Sequence, residues 1–253
     1  MSSEGKRIAI SQPTYLPWIG YFDLIDQVDT FVFLDTVQFE KQSWQQRNRI
    51  KTPTGLQWLT VPVVFRGRFG QSIQAVELCQ SDALTKHLRG IELNYRRAPF
   101  FGECYPQLEV LLSDAPALLS DLNMGIIRWA CDILGIKTQF VKASELPVTG
   151  TRTELLADIC MNQRAGEYLS PIGSYVYLLD ERAAMESKGI EILFQHYIHP
   201  EYRQMFGAFV PHACFLDLLF NEGPRSGEII RSGRRQPFTP QQVIDTHAAK
   251  AQA

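Results

Sequence analysis

Residues 7–39, RIAISQPTYLPWIGYFDLIDQVDTFVFLDTVQF, read as strand, loop, helix, strand. Arg7–Ile10 and Thr30–Leu34 are apolar over strand length, and between them Phe22, Ile25 and Val28 fall on one face of a helix. Two such strands joined by one helix form the opening unit of a parallel sheet. The connecting loop carries neither phosphate-loop glycines nor a histidine. It holds Gln12, two prolines, Tyr15, Trp18 and Tyr21 instead.

The pattern continues outward. GLQWLTVPVVF (55–65) is β-rich after the turn signal TPTG, SDALTKHLRGIELNY (81–95) is helical, and PALLSDLNMGIIRWACDILGI (116–136) is a long amphipathic helix ending near Gly135. KTQFVKASEL (137–146) reads as a strand running into a loop, EYLSP (167–171) as strand and turn, and IEILFQHY (190–197) as a strand, separated by helices over 152–166 and 175–189. Strands alternating with helices predict an open, mainly parallel, Rossmann-like α/β sheet with helices on both faces. The aromatic and basic segment from Glu40 to Gly70 reads as an insertion over the sheet edge. The chain is expected to be a single domain over 1–253, with an ordered core over about 7–237 and a mostly polar tail of weak helical tendency over 238–253, ending in a frayed HAAKAQA.

Composition excludes several classes. The 253 residues are 45% hydrophobic with a formal net charge of −2, which gives no general reason to bind nucleic acid. No apolar run reaches bilayer length and no secretory h-region opens the chain, so membrane insertion is not expected and the location is expected to be cytoplasmic. Five scattered cysteines suit buried thiols in a reducing compartment, and five histidines without ligand spacing give no metal site. The residues name no cofactor.

Three loops are candidates for chemistry, because ligands of open α/β sheets collect at the carboxyl ends of strands. In SQPTYLPWIGY, prolines brace Gln12, Tyr15, Trp18 and Tyr21, and Gly20 would let a helix start approach a ligand; the competing reading is packing over the first helix. LDTVQFEKQSWQQRNRIK sets Asp35 at a strand end, followed by Gln38, Lys41, Arg47, Asn48 and Lys51, a mixture suited to a ligand with anionic and hydroxyl groups. In YLSPIGSYVYL, Ser170 and Ser174 would offer an anion site at a helix start, or simply cap a Pro-Gly turn. His196, His199 and Tyr202 lie near a later strand end, where a histidine would serve as general base. Asp217 sits in an apolar run and needs a partner if buried.

Five stretches, QPTYLPWIGYFDLID, FVFLDTVQFEKQSWQQRNRIKTPTGLQWLTVPV, ELNYRRAP, YLSPIGSYVYL and FLDLLFNEGP, together resemble the WbqC-like family from Gln12 to about Gly223. Members are associated with surface-polysaccharide gene clusters and have been suggested to transfer glycine or another acyl group to a sugar. Ser11 stands where many members carry histidine, so a base at that position has no counterpart here. A fainter resemblance at fold level links Trp18-Ile19-Gly20-Tyr21 to the His-x-Gly-His loop of nucleotidyl-transferring enzymes such as pantothenate synthetase, with the glycine matched and both histidines absent. The resulting expectation is an acyl or aminoacyl transferase acting on an amino sugar. Asp35, Lys41 and Arg47 would be catalytic. Gln12, Tyr15, Trp18, Tyr21, Gln38, Asn48, Lys51, Ser170 and Ser174 would bind a small substrate, such as a sugar nucleotide or an activated acyl donor. Nucleotidyl transfer and non-catalytic binding of sugar nucleotides are the alternatives.

Overall fold

The structure, a computed structural model, describes residues 5–251. In chain order the elements are β1 (Lys6–Ser11), α1 (Ile19–Asp26), β2 (Thr30–Phe33), β3 (Arg47–Thr52), β4 (Gly55–Thr60), α2 (Ala83–Tyr95), α3 (Phe101–Ser113), α4 (Leu119–Leu134), β5 (Gln139–Lys142), α5 (Arg152–Asn162), β6 (Ala165–Ser170), α6 (Tyr175–Leu178), α7 (Ala183–Glu186), β7 (Glu191–Phe194), α8 (Phe215–Glu222), α9 (Ser226–Ser232) and α10 (Pro240–Ala251). Five strands form one parallel sheet in the order β5-β2-β1-β6-β7, with Ile10 opposite Val32 and Ile8 opposite Tyr168. This is the open, doubly wound Rossmann-like arrangement.

Alternation along each strand builds two cores. Ala9, Phe31, Phe33, Leu169 and Leu193 face α1, α4 and α8. Ile8, Ile10, Val32, Tyr168 and Ile192 face α5, α7 and α10. A strand buried on both faces reads as a continuous apolar run, which is why β1 and β2 are legible in sequence. Each fully buried apolar side chain contributes roughly 1.5–3 kcal/mol. Helix α4 stops at Gly135, whose φ of 68° places it in the left-handed region that a side chain disfavours, and Ile136 N–H closes the turn on the Cys131 carbonyl.

Several expectations change. The segment Arg47–Lys51, read as loop, is strand β3, which pairs antiparallel with β4 as a separate two-stranded sheet. This hairpin packs on the loop after β1 rather than over a sheet edge: Asn48 Nδ2 donates to the Leu16 carbonyl at 2.7 Å. Helix α3 falls in a stretch to which the sequence reading assigned no element. The single helix expected over 175–189 is broken into α6 and α7, and Glu181 in the break accepts from Thr153 Oγ1 and pairs with Arg152, both at 2.6 Å. The stretch after Pro237 does form a helix, α10, but it belongs to the core: Phe238 bridges Phe194 of edge strand β7, and Val243 of α10 is buried. Gln252 and Ala253, the end of HAAKAQA, lie outside the described residues. Among the described residues no helix is long and apolar enough to cross a membrane.

Candidate functional site at the strand carboxyl ends

The chain leaves β1 toward the α1 face and leaves β6 toward the α7 face. Between the carboxyl ends of these neighbouring strands lies the crevice where doubly wound sheets bind ligands. A pocket of about 270 Å³ opens at these ends, lined by Gln12, Leu34, Val37, Arg152, Leu155, Leu156 and Tyr177. Leu34, Val37, Leu155 and Leu156 make its floor hydrocarbon. Gln12, Arg152 and Tyr177 supply an amide, a guanidinium and a phenol.

Gln12 is aimed from both sides. Its Oε1 accepts from Gln45 Nε2 at 2.8 Å, and its backbone carbonyl accepts from Tyr21 OH at 2.9 Å. Its own amide NH₂ makes no hydrogen bond among the described residues. Arg152, at the start of α5, has a φ of 52° and pairs with Glu181. A non-glycine residue in the left-handed region stores strain of the kind that collects at functional sites.

The first two candidate loops are fused to one another. Asn123 of α4 donates to the Pro13 carbonyl at 3.1 Å and to the Gln45 carbonyl at 2.7 Å, and Tyr15 N–H bonds the Trp44 carbonyl. Asn48 is buried in that seam and holds the Tyr15 and Leu16 carbonyls. Tyr15 is fully buried with its OH 2.9 Å from His87 Nδ1, so it has no face for a ligand. Tyr21 is buried as well. Trp18 stacks on His199 and meets Tyr197 and His212 by ring edges. Its ring covers Gly20: a Cβ there would come within 2.2 Å of the indole, so this glycine makes room for Trp18 rather than for a ligand.

The catalytic triplet expected from the second loop disperses. Asp35 is buried at the end of β2, and both its oxygens are occupied by Ser144, through Oγ at 2.6 Å and the backbone N–H at 2.9 Å. It ties β2 to the turn after β5. Lys41 lies exposed 5.5 Å from the Phe65 ring, in an open groove of about 950 Å³ with Pro62–Phe65. Arg47 stacks on Trp58, and Gln38 is exposed on a bridge to Ser72. Lys51 is buried, its Nζ donating to Gln204 Oε1 at 2.9 Å and the Ala208 carbonyl at 2.6 Å. Asp217 finds its partners nearby: Tyr95 OH and Tyr202 OH donate to its two oxygens, and burial raises its carboxyl above the usual range. That cluster is architecture.

The helix-start anion site is also lost. Ser170 is fully buried with its Oγ on the Pro171 carbonyl, and α6, which Ser174 precedes, has only four residues and little dipole to offer. His199 has both ring nitrogens engaged. Its Nδ1 meets the Pro200 carbonyl and its Nε2 accepts the His212 N–H, while burial lowers its pKa. His196 stacks on Phe238. Of the predicted residues, only Gln12 lines the carboxyl-end pocket. Arg152 and Tyr177 were missed because they join it through tertiary closure; the cap-like Gly150-Thr151 before a helix was the one local hint.

Residues 12–229 match the WbqC-like protein family. The chain is also 38% identical over 231 residues to "Uncharacterized protein Rv1507c" of Mycobacterium tuberculosis (strain ATCC 25618 / H37Rv), covering 91% of this chain and 100% of that one. No solved structure matches the chain significantly. A match of that extent places the chain in a family: it belongs to the WbqC-like proteins.

Proposed function

We propose that this protein is a transferase that moves a small acyl or aminoacyl group onto the amine of an amino sugar or similar acceptor. The observation that carries the reading is the carboxyl-end pocket, where an amide donor, a guanidinium and a phenol stand over a hydrocarbon floor in about 270 Å³. That space is small for an extended ligand and suits a short acyl unit. Gln12 NH₂ donates to the acyl carbonyl and stabilises the oxyanion as the amine attacks. Arg152 holds an anionic group of the donor, and Tyr177 orients the acceptor by hydrogen bonding. The C–N bond forms, the bond to the donor's leaving group breaks, and the amine proton passes to the leaving group or to water.

Direct transfer is favoured over a covalent enzyme intermediate. No cysteine or serine lines the pocket, and burial pushes the Cys160 and Cys214 thiols up to about 12. Nucleotidyl transfer is less well supported, because Trp18 occupies the space over Gly20 that a phosphate would need.

The test is incubation of the purified protein with amino-sugar nucleotides and acyl or aminoacyl thioesters, read by mass spectrometry. An acylated sugar product is expected. Gln12→Ala should lower kcat/KM by about 10²–10³-fold, the range for loss of one oxyanion donor. Saturable binding without product across the donor panel would establish a non-catalytic sugar-nucleotide binder instead. Pyrophosphate release from a nucleoside triphosphate with Mg²⁺ would establish nucleotidyl transfer.

A further inference from the structure

The outward face of the β3–β4 hairpin carries Arg47 and Arg49 two residues apart, with Trp58 directly opposite Arg49. Trp44, from the preceding turn, lies 5.5 Å from Trp58 between ring centres. The Arg47 guanidinium sits 4.3 Å from the Trp58 ring centre, and that of Arg49 lies 5.2 Å from Trp58 and 5.6 Å from Trp44. Both indoles are solvent-facing, with Trp44 50% and Trp58 42% exposed. Two adjacent exposed tryptophans are a costly surface unless they meet a ligand.

Several arginines of this molecule are already held by carboxylates. Arg7, Arg68, Arg152, Arg231 and Arg234 each pair with a carboxylate. Arg47 and Arg49 pair with none among the described residues, and Arg49 Nε is buried without a hydrogen-bond partner. The adjoining His212 has a φ of 62°, another strained non-glycine residue at the patch. The patch therefore offers positive charge and flat aromatic faces together.

We propose that this face binds a nucleoside diphosphate group, with the base stacked on an exposed indole and the two phosphoryl groups on the paired guanidinium forks. Two forks at alternate strand positions, about 6–7 Å apart along β3, match two linked phosphoryl groups better than one carboxylate. A polynucleotide is a poorer fit, because the chain's net charge is −2 and the cationic patch does not extend into a stripe. The proposal stands on residues outside the carboxyl-end pocket and holds whether or not that pocket transfers an acyl group.

The test titrates the intact protein with UDP, ADP, uridine, pyrophosphate and glucuronic acid by calorimetry, with indole fluorescence as a second readout. UDP or ADP should bind at least about tenfold tighter than uridine or pyrophosphate, since both halves of the ligand contribute. The Arg47→Gln/Arg49→Gln protein and, separately, Trp58→Leu should each weaken nucleotide binding by about tenfold or more, with unchanged melting temperature. A lysine pair at 47 and 49 should recover only part of the affinity, because it restores charge without the fork. Pyrophosphate binding as tightly as UDP, glucuronic acid binding more tightly than UDP, or undiminished nucleotide binding in either folded variant would overturn the proposal. So would a protein that dimerises through this face, revealed if Trp58→Leu halves its mass in sedimentation.

Discussion

Gly20 shows how one missing side chain serves a neighbour. It lies in the first turn of α1 beneath the Trp18 ring, three of whose carbons would lie 2.2–2.6 Å from an added Cβ. Gly20→Ala should destabilise the fold by about 1–3 kcal/mol, the usual range for forced overpacking, as read by urea unfolding. In a Trp18→Ala background the same change should be neutral or stabilising by about 0.5–1 kcal/mol, because alanine is the better helix former. Additive behaviour in that cycle would refute the packing account. His87 makes a second residue-scale prediction. Its Nδ1 faces Tyr15 OH at 2.9 Å, and burial lowers its pKa to about 4. The unfolded chain, with a histidine pKa near 6.5, therefore binds a proton that the folded state refuses. Stability from this site is intact above about pH 6.5 and falls as pH drops toward 4, by up to roughly 3 kcal/mol. His87→Gln should be less stable at pH 8 but lose less stability between pH 7 and 4.5 than the parent, measured by denaturant midpoint.

At the scale of elements, the side chains that sequence suggested for chemistry mostly join one element to another. Asn123 in α4 clamps the loop after β1 to the turn before β3, and Asp35 clamps the end of β2 to the turn after β5. Ser144→Ala removes the shorter of the two Asp35 bonds and leaves a buried carboxylate oxygen unsatisfied. It should cost about 1–3 kcal/mol, more than a surface serine change, as a shift in thermal midpoint. Asp35→Asn should cost less in stability, because an amide keeps one acceptor for Ser144. If Asp35→Asn instead left stability untouched while abolishing turnover, Asp35 would be a base after all. This explains why the fold was legible and the site was not. Apolar runs such as TFVF announce buried strands by themselves. The run RNRIKT hides strand β3, because polar side chains stand on both faces: Arg47 and Arg49 are half-buried on one, and Asn48 meets backbone carbonyls on the other. Polar residues gathered within one stretch look like a pocket in sequence, yet alternate strand positions send Arg47 outward and Asn48 inward.

For the whole molecule, the two-sided sheet determines both where a ligand can sit and what must cover the edges. Opposite crossovers leave the carboxyl ends of β1 and β6 open, and Gln12 reaches that opening because it directly follows β1. Arg152 and Tyr177 arrive from α5 and α6, over 100 residues away in sequence, so no local pattern could have assembled the pocket. The edge strand β7 faces a related constraint. Its Phe194 exchanges backbone hydrogen bonds with Phe238, N–H to carbonyl at 2.8 and 2.9 Å, and Val243 of α10 closes the core beneath. A chain ending at Pro237 would expose that strand edge, lose both bonds and uncover the apolar face that Val243 seals. Those losses amount to about 1–3 kcal/mol from the two bonds and up to about 3 kcal/mol from the valine. The truncated protein should unfold several degrees lower and associate with concentration, since an open edge recruits other strands. Light scattering against concentration, together with a melting curve, reads both effects. A monomeric truncation with the parent's midpoint would mean that the segment after Pro237 contributes nothing to the sheet.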